Sequence, residues 1–116
     1  MDKLDLLKQK IIEFRDKRDW KQFHNPKDVA LSLVLEATEV MEYFQWKSRE
    51  EIEKYIKTNK DEIGEELADV LYYLLLMAHD FKIDLFKAAQ AKLKKTAHNY
   101  PVSKYFNSFP CFWSLT

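Results

Sequence analysis

Two pairs of acids stand out for their spacing. Glu36-Ala37-Thr38-Glu39 and Glu66-Leu67-Ala68-Asp69 each place two carboxylates three residues apart. On a helix, residues three apart share a face. Two such helices packed antiparallel would bring four carboxylates into one small volume. Like charges there repel, and burying them unpaired is costly. A divalent cation with a preference for oxygen resolves both problems. Ion pairing with lysines is the plainer alternative, but no Lys or Arg lies near Asp69 on the same face of its helix.

The elements that must carry these pairs are readable from periodicity. Leu4, Leu7 and Ile11 give residues 2–18 one apolar stripe, and Asp19 to Asn25 reads as a loop unusually rich in large side chains. Asn25-Pro26, followed by Asp28, opens a helix predicted to reach Gln45 or Trp46. On its wheel, Glu36 and Glu39 lie between an apolar arc (Val29, Leu33, Ala37, Val40) and a second sector holding Leu31, Leu35 and Trp46. A solvated charge stripe is not flanked in this way. Ser48-Arg49-Glu50-Glu51 is a capping box that should start a short helix. The next helix is predicted over 61–81, with acids Glu62, Glu66, Asp69 and Asp80 and with Tyr73 on one stripe. It becomes apolar all round from Val70 to Ala78, which makes it central. Gly64 inside it implies a close helix contact. Asp84 should cap a helix running to about His98, and Pro101 ends it.

Composition narrows the field. The 116 residues suit one domain, and the 47% hydrophobic content can build a core. One Gly and three Pro are too few for a many-stranded sheet, so the chain reads as all-α. Lys+Arg and Asp+Glu both number 19, which gives no basic footprint for a nucleic-acid polymer. A single Cys allows no internal disulfide, and the longest apolar run, Val70 to Ala78, is too short to span a bilayer. A cytoplasmic protein without membrane contact is the expectation.

The type of metal follows from the donors. Di-iron bundles need Glu-x-x-His pairs, and zinc wants His or Cys; neither pattern is present. An all-oxygen set suits Mg²⁺, with Mn²⁺ as an alternative. Such sites hold substrate phosphates, and phosphate chemistry is the natural class. Aromatics flank the acids: Trp20, Phe23 and His24 precede the first acidic helix, Trp46 follows it, and Tyr73 lies one turn past Asp69. Each alone is ordinary core material, but together they fit a stacked nucleobase.

The pattern Glu36-x-x-Glu39, 26 intervening residues, then Glu66-x-x-Asp69 resembles the MazG-like, all-α nucleoside triphosphate pyrophosphohydrolases. The segments Arg18 to His24, Glu42 to Lys47, Glu65 to Leu74 and Tyr100-Pro101-Val102 look like the dCTP pyrophosphatase branch. The resemblance implies a four-to-five-helix bundle over 1–104, assembled as a dimer or tetramer; residues 105–116 read as an aromatic tail outside it. It implies Mg²⁺-dependent hydrolysis of a (d)NTP to (d)NMP and pyrophosphate, as a house-cleaning activity. Glu36, Glu39, Glu66 and Asp69 would hold the metal, with Glu36 and Glu39 catalytic. Trp20, His24, Trp46 and Tyr73 would line the base and sugar pocket, and Lys92 would approach the phosphates.

Two positions depart from the family pattern. Thr96 stands where Asn is usual, and Asn99 stands where Arg or Lys is common. They keep a second function open, a helical nucleotide-binding or regulatory module without turnover. The tail after Lys104 also departs from the usual basic C-terminus.

Overall fold

Four helices begin where a short polar side chain takes the place of a missing carbonyl. In the computed structural model, which describes residues 2–108, Asp2 accepts from the Asp5 amide and opens α1 (Lys3–Lys17). Asn25 accepts from the Asp28 amide at 2.9 Å, with Pro26 in the first position of α2 (Pro26–Glu42). Ser48 and Glu51 form the reciprocal capping box of α3 (Arg49–Thr58). A single residue, Asn59, then separates α3 from α4 (Lys60–Asp80). Asp84 caps α5 (Leu85–Asn99), and α6 (Val102–Tyr105) is one turn after Pro101. No strand occurs among the described residues, and the all-α class is confirmed.

The chain divides between Phe81 and Lys82 into two compact units. Lys82, with φ of 57°, takes the left-handed conformation that commonly ends a helix. In the first unit α4 is the central element. It packs most extensively on α2, and also on α1 and α3. Ile11, Val29, Leu75, Leu76 and Ala78 form the core between these helices. Arg15 of α1 is also buried, and its guanidinium bonds both carboxylate oxygens of Asp80 at 3.0 and 2.8 Å. Asp80 therefore leaves the acidic stripe and ties α1 to the end of α4. In the second unit α5 leads through Tyr100 and Pro101 into α6, with the Tyr100 and Tyr105 rings 4.9 Å apart.

Four expectations are corrected here. Residues 20–23 are a 3-10 helix, not an open loop: Asp19 turns the chain at φ 53°, and the Gln22 amide reaches back to it. The α2 helix stops at Glu42, because the Phe44 and Gln45 amides both turn to the Met41 carbonyl. Gly64 meets no neighbour: a Cβ built there finds nothing within 4 Å. Finally, the apolar sector beside the acids is not buried within one chain. Leu31, Val34, Leu35 and Met41 are each more than half exposed, because α4 covers only part of α2. The aromatic residues after Ser108 lie outside the described residues.

Candidate metal centre

The α2–α4 pair sets the site. Along α2, Glu36 feels the charge of Asp69, while Tyr43 feels those of Glu66 and Glu62. Partners fall in number as α2 rises, so the two helices run antiparallel and their acidic faces meet. Carboxylate oxygens of Glu36, Glu39 and Glu66 all lie within 4.8 Å of one another. Asp69 is not one of these three and is exposed, but its charge acts on both Glu36 and Glu66.

Among the described residues, no Lys, Arg or His forms an ion pair with this cluster. The ion pairs among the described residues are Lys8–Asp5, Arg15–Asp16 and Arg15–Asp80. Glu36 Oε2 and Glu66 Oε2 are buried without a hydrogen-bond partner. Burial raises the Glu36 carboxyl above its ordinary value, with Glu39 and Asp69 adding to the effect. Glu66 is pushed up to about 7, first by the Glu39 carboxyl close beside it, then by desolvation and the neighbouring charges. Orphaned acceptor oxygens, an all-carboxylate donor set and mutual repulsion are what a hard divalent cation relieves. The residues present therefore fit such an ion.

The predicted pocket residues are placed as follows. Trp20, in the 3-10 helix, stands edge-on to Phe14 with ring centres 5.6 Å apart. Phe14 in turn contacts Tyr72 at 6.4 Å, and Tyr72 contacts Tyr73 at 5.1 Å. A line of rings thus joins Trp20 to Tyr73, one turn past Asp69. His24 is half-buried, and its Nδ1 has no partner. Trp46 lies beyond the end of α2 and is 87% exposed, so its register with Glu39 on one helix face does not hold. Lys92 is exposed on α5, in the second unit.

Sequence reasoning passed over three neighbours of the cluster. Tyr43, four residues after Glu39, is raised by burial and by Glu66, Tyr55, Glu62 and Glu39. Tyr55 of α3 is raised by burial and by the charge and hydrogen bonding of Glu62. Lys47 sits over the Tyr55 ring, its Nζ 4.5 Å from the centroid. The i, i+4 step from Glu39 to Tyr43 was the one signal of this group visible in the chain.

An antiparallel helix pair with three converging carboxylates defines a class of all-α, acid-centred proteins. Residues 31–108 match the MazG-like family, and the chain belongs to it. It is 39% identical over 92 residues to dCTP pyrophosphatase 1 of Bos taurus, covering 78% of this chain and 54% of that protein. Identity with dCTP pyrophosphatase 1 of Homo sapiens is 38% over 91 residues, 77% of this chain and 54% of that one. The chain spans about half the length of these relatives. The solved structure of a pyrophosphatase from Archaeoglobus fulgidus superposes with a TM-score of 0.82 at 36% identity, covering 87% of this chain and 94% of that chain. No helix among the described residues is long and apolar enough to cross a membrane.

Proposed function

We propose that this chain is a nucleoside triphosphate pyrophosphohydrolase, converting a (d)NTP and water to the (d)NMP and pyrophosphate. The observation that carries this reading is the convergence of Glu36, Glu39 and Glu66, with two buried oxygens left unpartnered, on a MazG-like helix pair. Glu36, Glu39, Glu66 and Asp69 would hold Mg²⁺, or Mn²⁺, which when bound supplies charge neutralisation for the phosphates. Glu39 or Glu36 accepts the proton of the attacking water. The water oxygen bonds to phosphorus, the bridging P–O bond breaks, and its electron pair leaves with the departing phosphate group. Trp20, His24, Trp46 and Tyr73 would hold base and sugar.

The names of the relatives support deoxycytidine triphosphate as the preferred substrate. The exposed α2 residues Leu31, Val34, Leu35 and Met41 support self-association as a dimer or tetramer, since apolar stripes of this kind mark contact surfaces. Thr96 and Asn99, in place of the family's Asn and basic residue, favour one other reading, nucleotide binding without turnover. A panel of NTPs and dNTPs with Mg²⁺, following pyrophosphate and orthophosphate separately, tests both. Pyrophosphate release without orthophosphate supports the hydrolase; binding with neither product supports the sensor.

A further inference from the structure

Lys47 occupies an unusual position for a lysine. It is half-buried, and among the described residues it has no carboxylate within ion-pair distance. Instead its Nζ donates to the Tyr43 carbonyl at 2.6 Å, one of the carbonyls that the end of α2 leaves without a helical partner. A cation at a helix C-terminus also meets the negative end of the helix dipole. The same Nζ lies over the Tyr55 ring of α3, and the Tyr55 and Tyr43 rings pack 5.5 Å apart at 33°. The Lys47 amide closes the turn by donating to Phe44. One side chain thus clamps the end of α2 at Tyr43, four residues past Glu39, to α3.

The consequence lies at the acids. Tyr43 stands among Glu39, Glu62 and Glu66, and Tyr55 stands against Glu62. The clamp therefore borders the cluster on the side where α2 ends and α4 begins. We propose that Lys47 is a positioning residue: by pinning the end of α2 to Tyr55 it holds Tyr43 and Glu39 in register with Glu66 for cation binding. This inference rests on reading the cluster as a cation site. It assigns Lys47 no contact with substrate or metal.

The sign of one measurement separates this role from its alternatives. A lysine acting only through its charge repels a cation, so its removal tightens cation binding. A lysine that merely stabilises the fold leaves the affinity of the folded protein unchanged. A positioning lysine weakens binding when lost. The test is direct Mn²⁺ titration of the full chain, without nucleotide, for the parent, Lys47→Met, Lys47→Arg and Tyr55→Leu, with helix content followed by circular dichroism. Lys47→Met should bind Mn²⁺ about 10-fold more weakly at unchanged helix content, the size typical of losing a residue that orients metal ligands. Lys47→Arg keeps the charge and the donor and should restore most of the affinity. Tyr55→Leu removes the ring and should weaken binding in the same direction, and it carries the test if Lys47→Met loses helix content. Parent-like or tighter Mn²⁺ binding in both Lys47→Met and Tyr55→Leu overturns the proposal. A parent that binds no Mn²⁺ overturns it together with the cation site. A parent that binds Mn²⁺ but releases no pyrophosphate contradicts only the hydrolase reading, because Lys47 is judged on Mn²⁺ affinity.

Discussion

Carboxylate oxygens of Glu39 in α2 and Glu66 in α4 lie within 4.8 Å of each other across the helix pair, and the Glu39 carboxyl is the largest cause of raising Glu66 to about 7. A carboxyl shifted upward holds its proton more tightly, so a proton and a cation would compete for the same oxygens.

A pH dependence follows. The Glu66 pKa is about 7 in the folded chain against a model-peptide value of 4.5. Its folded form binds the proton more tightly, so its contribution to stability is fully present below the unfolded value and is lost as pH rises through the folded one. Glu36 is shifted in the same direction. Thermal melts in chelator should give a falling Tm between pH 5 and pH 8 from these groups, about the span set by the two pKa values. Glu66→Gln should flatten that slope, and added Mg²⁺ should raise Tm more at the alkaline end. A slope unaffected by Glu66→Gln contradicts the assignment.

The Arg15–Asp80 pair makes a separate prediction about stability. Arg15 has a side chain only 1% exposed, and Asp80 supplies two of its hydrogen bonds. Asp80→Ala strands a buried guanidinium, a class of change that costs about 3–5 kcal/mol. The partial exposure of Asp80 and the nearby Asp16 place the expected loss at the lower end of that range. Urea unfolding measures it, as a lower midpoint with an unchanged slope.

Gly64 gives a change in the opposite direction. It sits inside α4 without a positive φ, and an added Cβ meets nothing within 4 Å. Gly64→Ala should stabilise the chain by about 0.5–1 kcal/mol, through the lower backbone entropy of the unfolded state and the better helix propensity. The same urea experiment reads it as a higher midpoint.

Ser48 anchors the start of α3 through its reciprocal bonds with Glu51, at 3.2 and 3.3 Å. Ser48→Ala should cost about 1 kcal/mol, as loss of an N-cap usually does. Because α3 carries Tyr55, amide exchange in 49–58 should quicken more than in α4.

What could be read in the chain was local. The i, i+3 acids, the caps at Asn25, Ser48 and Asp84, and the stop at Pro101 depend on neighbours within one turn, and all of these caps form. What could not be read depends on partners far along the chain. Arg15 looks like any surface arginine until Asp80, 65 residues later, is placed beside it. The wheel carried α2 through Trp46 because periodicity persists there, whereas Lys47 and the Met41 carbonyl end the helix four residues sooner. Gly64 implied a close neighbour only if some other element reached it, and within the described chain none does. The three-carboxylate cluster was visible as spacing, but its unpartnered buried oxygens and the Lys47–Tyr55 clamp beside it needed the packing of α2, α3 and α4.

The central claim is that the Glu36–Glu39–Glu66 cluster binds a divalent cation and uses it to cleave a nucleoside triphosphate. The most direct measurement is pyrophosphate release from dCTP with Mg²⁺ by the parent and by Glu39→Gln, each checked for helix content. The account predicts equal amounts of dCMP and pyrophosphate from the parent, no release in chelator, and a loss of at least about 100-fold in Glu39→Gln, the lower bound for removing a general base. Parent-like turnover by a folded Glu39→Gln, or turnover by the parent that persists in chelator, would contradict it.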